Sequence, residues 1–211
     1  MFQPACFREN RIEVMQEMMR EQPFASVISL QEGEIVGDHL PLVLHSESSE
    51  YGVLQGHINR ANPICKKWDA DTELLVIFQG AHHYVSASWY PSKQEHGKAV
   101  PTWNYIMVHA RGRLRLHEDG AWLLNHLNEL TQQQEHGRPM PWKVSDAPAE
   151  YIERMTRGII GVEIEITSLQ GTWKASQNKD ERDRGGVVRG LRQEGSDHSS
   201  VMADFVEQRL G

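Results

Sequence analysis

The sequence predicts a mainly β protein with flanking helices, a barrel or sandwich and not a doubly wound sheet. Three observations lead there. At least six short runs have strand character, the cleanest being Val162-Glu-Ile-Glu-Ile-Thr167, which alternates apolar and polar side chains. Helical periodicity collects near the chain ends and in one middle stretch, without regular strand–helix–strand alternation. The 211 residues are 39% hydrophobic, enough for a sizeable core without disulfides. A single domain over residues 1–211 is expected, with residues 178–211 as a helical extension packed on it.

The elements can be justified in order. Ile12, Met15, Met18 and Met19 recur at helical spacing before Pro23, and Asn10 with Glu13 has the form of a capping box. Ala25–Leu30 and the run through His45 flank Gly33, which predicts a hairpin. Pro41 inside the second run calls for an edge strand or a bulge, because proline donates nothing to a ladder. Strands are predicted at Gly52–Ile58, Glu73–Phe78, His82–Trp89, Thr102–His109 and Arg111–His117, and helices near 120–134 and 148–157. A turn leads into Cys65-Lys-Lys-Trp68. The charged tail predicts helices over Asp180–Arg192 and Ser196–Leu210.

Composition excludes several classes of function. There are 22 basic and 29 acidic residues, a net charge of −7, so no broad electrostatic grip on nucleic acid is expected. Mean hydropathy is −0.56, and runs such as Leu74–Phe78 are too short to span a bilayer as a helix. The start, MFQPACFREN, has no secretory pattern, and the two cysteines, Cys6 and Cys65, read as free thiols. A cytoplasmic location is expected. Dinucleotide-binding glycine fingerprints, Walker A loops, nucleophile elbows, Cys-x-x-Cys and His-Glu-x-x-His are all missing from the sequence. No metal site is expected from the eleven histidines, since the adjacent His82 and His83 would point to opposite strand faces.

Four segments carry chemistry. On a strand, His82, Tyr84, Ser86, Ser88 and Tyr90 would share one face, either turned to water or lining a polar aromatic ligand. Val100-Pro-Thr-Trp-Asn-Tyr105 sets Trp103 and Tyr105 beside the amide of Asn104, a combination suited to a core anchor or to a flat heterocycle. Gly56-His-Ile-Asn-Arg-Ala-Asn-Pro63 leaves a strand with Arg60, Asn59 and Asn62, which offer either an ordinary surface turn or a phosphate cradle of side chains and backbone amides. Arg111, Arg113 and Arg115 share a strand face that is expected to be solvated or ion-paired.

Together these segments resemble the PaiB family of FMN-binding split-barrel proteins, negative transcriptional regulators of protease synthesis and sporulation. The matching blocks are His39-Leu-Pro-Leu, Gly56-His-x-x-Arg-Ala-Asn-Pro63, Leu75-Val-Ile-Phe-x-Gly80, Tyr84-Val-Ser-x-Ser-Trp-Tyr90, Val100-Pro-Thr-Trp-Asn-Tyr105 and Lys174-x-Ser-Gln-Asn-Lys179, in that order along nearly the whole chain. The resemblance implies a PaiB-like split β-barrel that forms a homodimer, with FMN in a groove at the subunit interface. It implies phosphate contacts from Arg60 and Asn62, backbone from His39, Leu40 and their neighbours at the isoalloxazine edge, and His57 among the flavin contacts. It further implies a lining of Ser86, Ser88, Trp103 and Asn104, with Lys174 and Gln177 closing the pocket across the dimer. The sequence departs from the family pattern at Ala81, His83 and Ala175. Two other readings belong to the same superfamily: an FMN-dependent oxidoreductase similar to flavin reductases or pyridoxamine phosphate oxidases, and a haem-binding split barrel. Direct DNA contact is open only to a surface such as Arg111–Arg115 and is disfavoured by the net charge.

Overall fold

The computed structural model describes residues 1–67 and 72–208. Trp68 and the end of the helix expected to reach Leu210 lie outside the described residues. In chain order the elements are β1 (Arg8–Glu9), α1 (Ile12–Glu21), β2 (Phe24–Gln31), β3 (Glu34–Pro41), β4 (Val43–His45), β5 (Val53–Asn59), α2 (Ile64–Lys67) and β6 (Leu74–Val85). They continue with α3 (Ser92–His96), β7 (Thr102–His117), α4 (Gly120–Glu135), α5 (Ala149–Thr156), β8 (Ile159–Lys174), α6 (Glu181–Glu194) and α7 (Asp197–Glu207). The strands pair in the order β3-β2-β6-β7-β8-β5-β4, with β1 on β8 off that path. The chain forms two compact units: residues 1–15, 79–108 and 170–211 make the first, and residues 16–78 and 109–169 the second.

In the second unit, β2 and β3 form the predicted hairpin, in register from Phe24 opposite Pro41 to Gln31 opposite Glu34. Its two-residue turn is Glu32–Gly33, both with positive φ, the conformation whose twist matches antiparallel strands. Pro41 ends β3, the edge strand, where a missing N–H costs the ladder least. β5 runs antiparallel to β8 from Val53 opposite Glu165 to Asn59 opposite Ile159. Burial alternates along β5, with Leu54, Gly56 and Ile58 inward. Gly56 has a packing reason, since a Cβ there would lie 2.8 Å from Leu42. Leu42, Leu54, Leu74, Val76, Phe78, Leu123 and Ile164 are the fully buried heart of this unit.

In the first unit, β1 pairs with the end of β8. Asp180 caps α6 by accepting from Asp183 N at 2.8 Å, and Gly195 closes it in the left-handed region. Ser196 and Ser199 then exchange side-chain and backbone hydrogen bonds in a capping box that opens α7. The small residues of α6 let it approach the turn Ala87–Trp89: a Cβ on Gly190 would fall 2.2 Å from the Trp89 ring, and one on Gly186 2.0 Å from Trp89 O.

Three sequence expectations need correction. Glu73–Phe78 and His82–Trp89 are not two strands; β6 runs unbroken from Leu74 to Val85 and stops there. Residues 87–89 form a 3-10 turn, because the Ser86 hydroxyl accepts from Ser88 N and Pro91 follows, so the alternating face proposed through Ser86, Ser88 and Tyr90 ends at Tyr84. Thr102–His109 and Arg111–His117 likewise form one strand, β7. Gly112 lets it through, where a Cβ would meet Glu165 O at 2.5 Å.

Candidate functional site

Six of the sequence-predicted site residues lie in the first unit. β7 presents Trp103 and Asn104 on opposite faces, as strand alternation requires: Trp103 is 53% exposed and Asn104 fully buried. The two therefore do not line one pocket, contrary to the sequence expectation. Trp103 stands in an aromatic group, edge-on to Tyr84 with ring centroids 6.2 Å apart and tilted 6.0 Å from His82. His198 of α7 continues the group at 4.7 Å from His82. Ser86 is spent on capping its turn, and the Ser88 hydroxyl accepts from Lys93 Nζ at 3.1 Å.

On the other face of β7, Asn104 Nδ2 donates to Ser176 Oγ at 2.9 Å, while Asn104 Oδ1 is buried with no partner. Lys174 Nζ donates to Thr102 Oγ1 at 2.6 Å and lies 5.8 Å from the Tyr105 ring centroid. Burial pulls the Lys174 ammonium below the usual lysine pKa. Gln177 is occupied locally: its side chain accepts from Ala175 N and donates to Trp173 O, holding the sharp turn in which Ser176 has φ +59°. Asn104 and Lys174 share a cavity of about 220 Å³ with Tyr90 and Lys179.

The second unit holds His39, Leu40, His57, Arg60 and Asn62. β3 ends the strand order, so among the described residues the His39–Leu40 backbone pairs with a strand on one side, β2. His39 Nδ1 sits 3.1 Å from Ser26 Oγ. His57 Nδ1 lies 3.2 Å from His126 Nε2 on α4. Trp122 stacks between His117, at 4.3 Å and parallel, and His126, at 5.6 Å. Burial lowers the pKa of both His57 and His126, the latter to about 4, with the charge of each neighbouring imidazole as a lesser cause for His126.

The turn after β5 is not the amide cradle that the sequence suggested. Arg60 N donates to Gly158 O, Ala61 N to Asn59 Oδ1, Asn62 N to Asn59 O, Ile64 N to Asn62 Oδ1 and Cys65 N to Asn62 O. Pro63 has no N–H. Every amide from 60 to 65 is thus taken or missing, because two asparagines each fold their own turn. Asn62 Nδ2 is spent on Asp38 Oδ1 at 2.8 Å, and Arg60 pairs with Glu118 at 3.0 Å. What remains is an exposed guanidinium. Among the described residues no group of three or more His, Cys, Asp or Glu is placed to hold a metal ion, and no helix is long and apolar enough to cross a membrane.

Residues 1–168 match the profile of the family described as "Putative FMN-binding domain". The chain is 30% identical over 210 residues to "Protease synthase and sporulation protein PAI 2" of Bacillus subtilis, covering 100% of this chain and 98% of that protein. It belongs to the PaiB family of FMN-binding proteins. An uncharacterized protein of Emericella nidulans is 33% identical, with 99% of this chain and 97% of that protein covered. Among solved structures, the FAD and heme binding protein from Mycobacterium smegmatis has a TM-score of 0.58 at 12% identity, over 79% of this chain and 73% of that one. The flavocytochrome Anf3 from Azotobacter vinelandii has the same TM-score at 15% identity, over 79% and 69%. These likenesses establish the fold of this PaiB-family chain as a split barrel.

FMN is the cofactor that PaiB membership assigns, and the residues present fit it in one respect and not in another. The half-open Trp103 face with its aromatic neighbours suits a planar ring. The 220 Å³ cavity on the other face of β7 is too small for a whole flavin, since ligand pockets of that class begin near ~300 Å³. Sequence reasoning placed Tyr90 on a different lining and missed Lys179 and His126. Lys179 lies in a matching family block, whereas His126 had no signal beyond a histidine on a predicted helix.

Proposed function

We propose that this PaiB-family protein binds FMN by stacking the isoalloxazine on the open face of Trp103, with Tyr84 and His82 flanking the ring. The carrying observation is that a large aromatic ring stands half exposed among aromatic neighbours in a family block, where burial would ordinarily be favoured. Lys93, already reaching Ser88, supplies a cation on the segment that leaves β6.

In this reading the protein is a cytoplasmic homodimer. The edge hairpin β2–β3 leaves Phe24 and Ile35 exposed, a surface that a second copy would cover. It acts as a negative regulator of transcription through flavin state, a metabolite or a protein partner. Three exposed arginines on β7 offer about three phosphate contacts, and so a salt slope near −3, far below that of strong nonspecific DNA binders.

The absorption spectrum of the purified protein tests the cofactor. Flavin bands that vanish in Trp103→Ala support the reading, and a colourless protein that takes up no added FMN overturns it. A Soret band instead would favour the haem-binding alternative. Sedimentation showing a stable 24.2 kDa species at low micromolar concentration would end the dimer proposal.

A further inference from the structure

The cavity behind β7 leaves chemistry unused by the flavin reading. Two of its side chains are almost wholly buried, Asn104 at 0% and Tyr90 at 1% exposure, and each has a polar atom without a partner: Asn104 Oδ1 and Tyr90 Oη. A buried polar atom without a partner is costly, and both of these belong to residues that line one cavity. Rotating the Asn104 amide does not remove the vacancy. Ser176 Oγ can donate to Oδ1 as readily as it accepts from Nδ2, and the other end of the amide is then the open one.

Two ammonium groups line the same space. Lys174 Nζ donates to the hydroxyl of Thr102 and faces the Tyr105 ring, and Lys179 Nζ lies 4.8 Å from the Tyr90 ring centroid. Neither forms an ion pair among the described residues. Asp183 is the carboxylate whose charge reaches Tyr90 and Lys179, but both its oxygens are committed to Ser92, Oδ1 accepting from Ser92 N and Oδ2 from Ser92 Oγ. Among the residues that line the cavity, two carry a positive charge and none is a carboxylate. Phe7 and Pro101 give the cavity an apolar side.

From this geometry we propose that the cavity is a binding site for a small organic carboxylate. Lys174 and Lys179 take its carboxylate oxygens, and Tyr90 Oη and Asn104 take a second polar group such as a hydroxyl or keto oxygen. Phe7 and Pro101 cover its carbon skeleton. Size sets the class: 220 Å³ equals the share of about seven waters at ~30 Å³ each, which admits an acid of about seven to ten non-hydrogen atoms. The site does not rest on the flavin reading.

Calorimetric titration of the full-length chain, with and without FMN, using malate, succinate, benzoate and inorganic phosphate as probes, tests this. At least one carboxylate should bind. Lys179→Gln should weaken it roughly tenfold or more, the loss expected when a hydrogen bond to a charged group is removed, and Tyr90→Phe, which removes a bond to a neutral group, by roughly two- to tenfold. Lys179→Arg should recover part of the affinity. Tyr90→Phe removes a hydroxyl that has no partner, so its thermal midpoint without ligand should be unchanged or higher, which separates a lost contact from a damaged fold. FMN uptake should be the same in all three variants. Absence of binding by every carboxylate overturns the proposal. So does binding of phosphate alone in competition with FMN, with Lys179→Gln weakening both equally; the cavity would then hold the flavin phosphate.

Discussion

The turn that follows β5 and the cavity behind β7 are both rich in asparagine, lysine or arginine, and both fall in family blocks, yet they differ in how their polar groups are spent. In the turn, Asn59 and Asn62 consume the amides around them, Asn62 also holds Asp38, and Arg60 faces Glu118. In the cavity, Asn104 and Tyr90 are more deeply buried and each keeps a polar atom open. Burial without satisfaction is costly, whereas an exposed pair such as Arg60–Glu118 contributes little. The same residue types therefore mark self-contained structure in one place and an incomplete site in the other.

The largest expected effect lies in flavin uptake. Trp103→Ala should weaken FMN binding by about 30-fold, the scale of one lost aromatic stacking partner, measured by fluorescence titration. An unchanged affinity would move the flavin away from β7 and erase the contrast between its two faces.

Next comes pH. His57 and His126 are held neutral by burial, with His126 at about 4 against an ordinary 6.5. A depressed histidine pKa means that the unfolded chain binds the proton first. Stability is complete above about 6.5 and declines as pH falls toward 4, by on the order of 2 kcal/mol. Denaturant titrations between pH 7 and 4 should show this decline, and His126→Leu should flatten it. Equal slopes in both proteins would remove the pair from the acid sensitivity of the second unit.

Asn62→Ala should destabilise by about 1–2 kcal/mol, because it strips the contact to Asp38 and the turn bond to Ile64 N. Set against the neutral or favourable Tyr90→Phe, this gives the satisfied and open groups opposite signs in one thermal-melt experiment. The smallest effect is expected at Arg60. Its guanidinium is exposed and shared with Glu118, and no backbone amide supports it, so Arg60→Ala should change FMN affinity by about threefold or less. A loss of tenfold or more would restore the phosphate role that the resemblance implies.

Much of the fold was legible because its signals are local. Gly33 between two β-rich runs announced the hairpin, Pro41 its edge, and the spacing of Ile12, Met15 and Met19 the first helix. Ser86-Ala-Ser-Trp-Tyr90 misled because its alternation imitates a strand, while one hydrogen bond donated by the Ser88 amide to the Ser86 hydroxyl redirects it into a turn. In the candidate site, Trp103 and Asn104 could be singled out by residue type, but grouping them as one lining ignored their adjacency on a strand. The cavity itself was out of reach, since it joins Phe7, Tyr90, Pro101, Asn104, Lys174 and Lys179, which no periodicity connects.

The turn after β5 also bears on chemical ageing. Asparagine loses its amide when the nitrogen of the following residue attacks the side-chain carbonyl to close a succinimide ring. After Asn62 that nitrogen belongs to Pro63 and carries no hydrogen, so the ring cannot form in the usual way. After Asn59 it belongs to Arg60 and donates its hydrogen to Gly158 O at 2.9 Å, so the proton that must leave before attack is engaged. Pro63 and the bond to Gly158 O thus protect the two asparagines from slow conversion to aspartate, which would bring new negative charge beside Asp38 and Glu118.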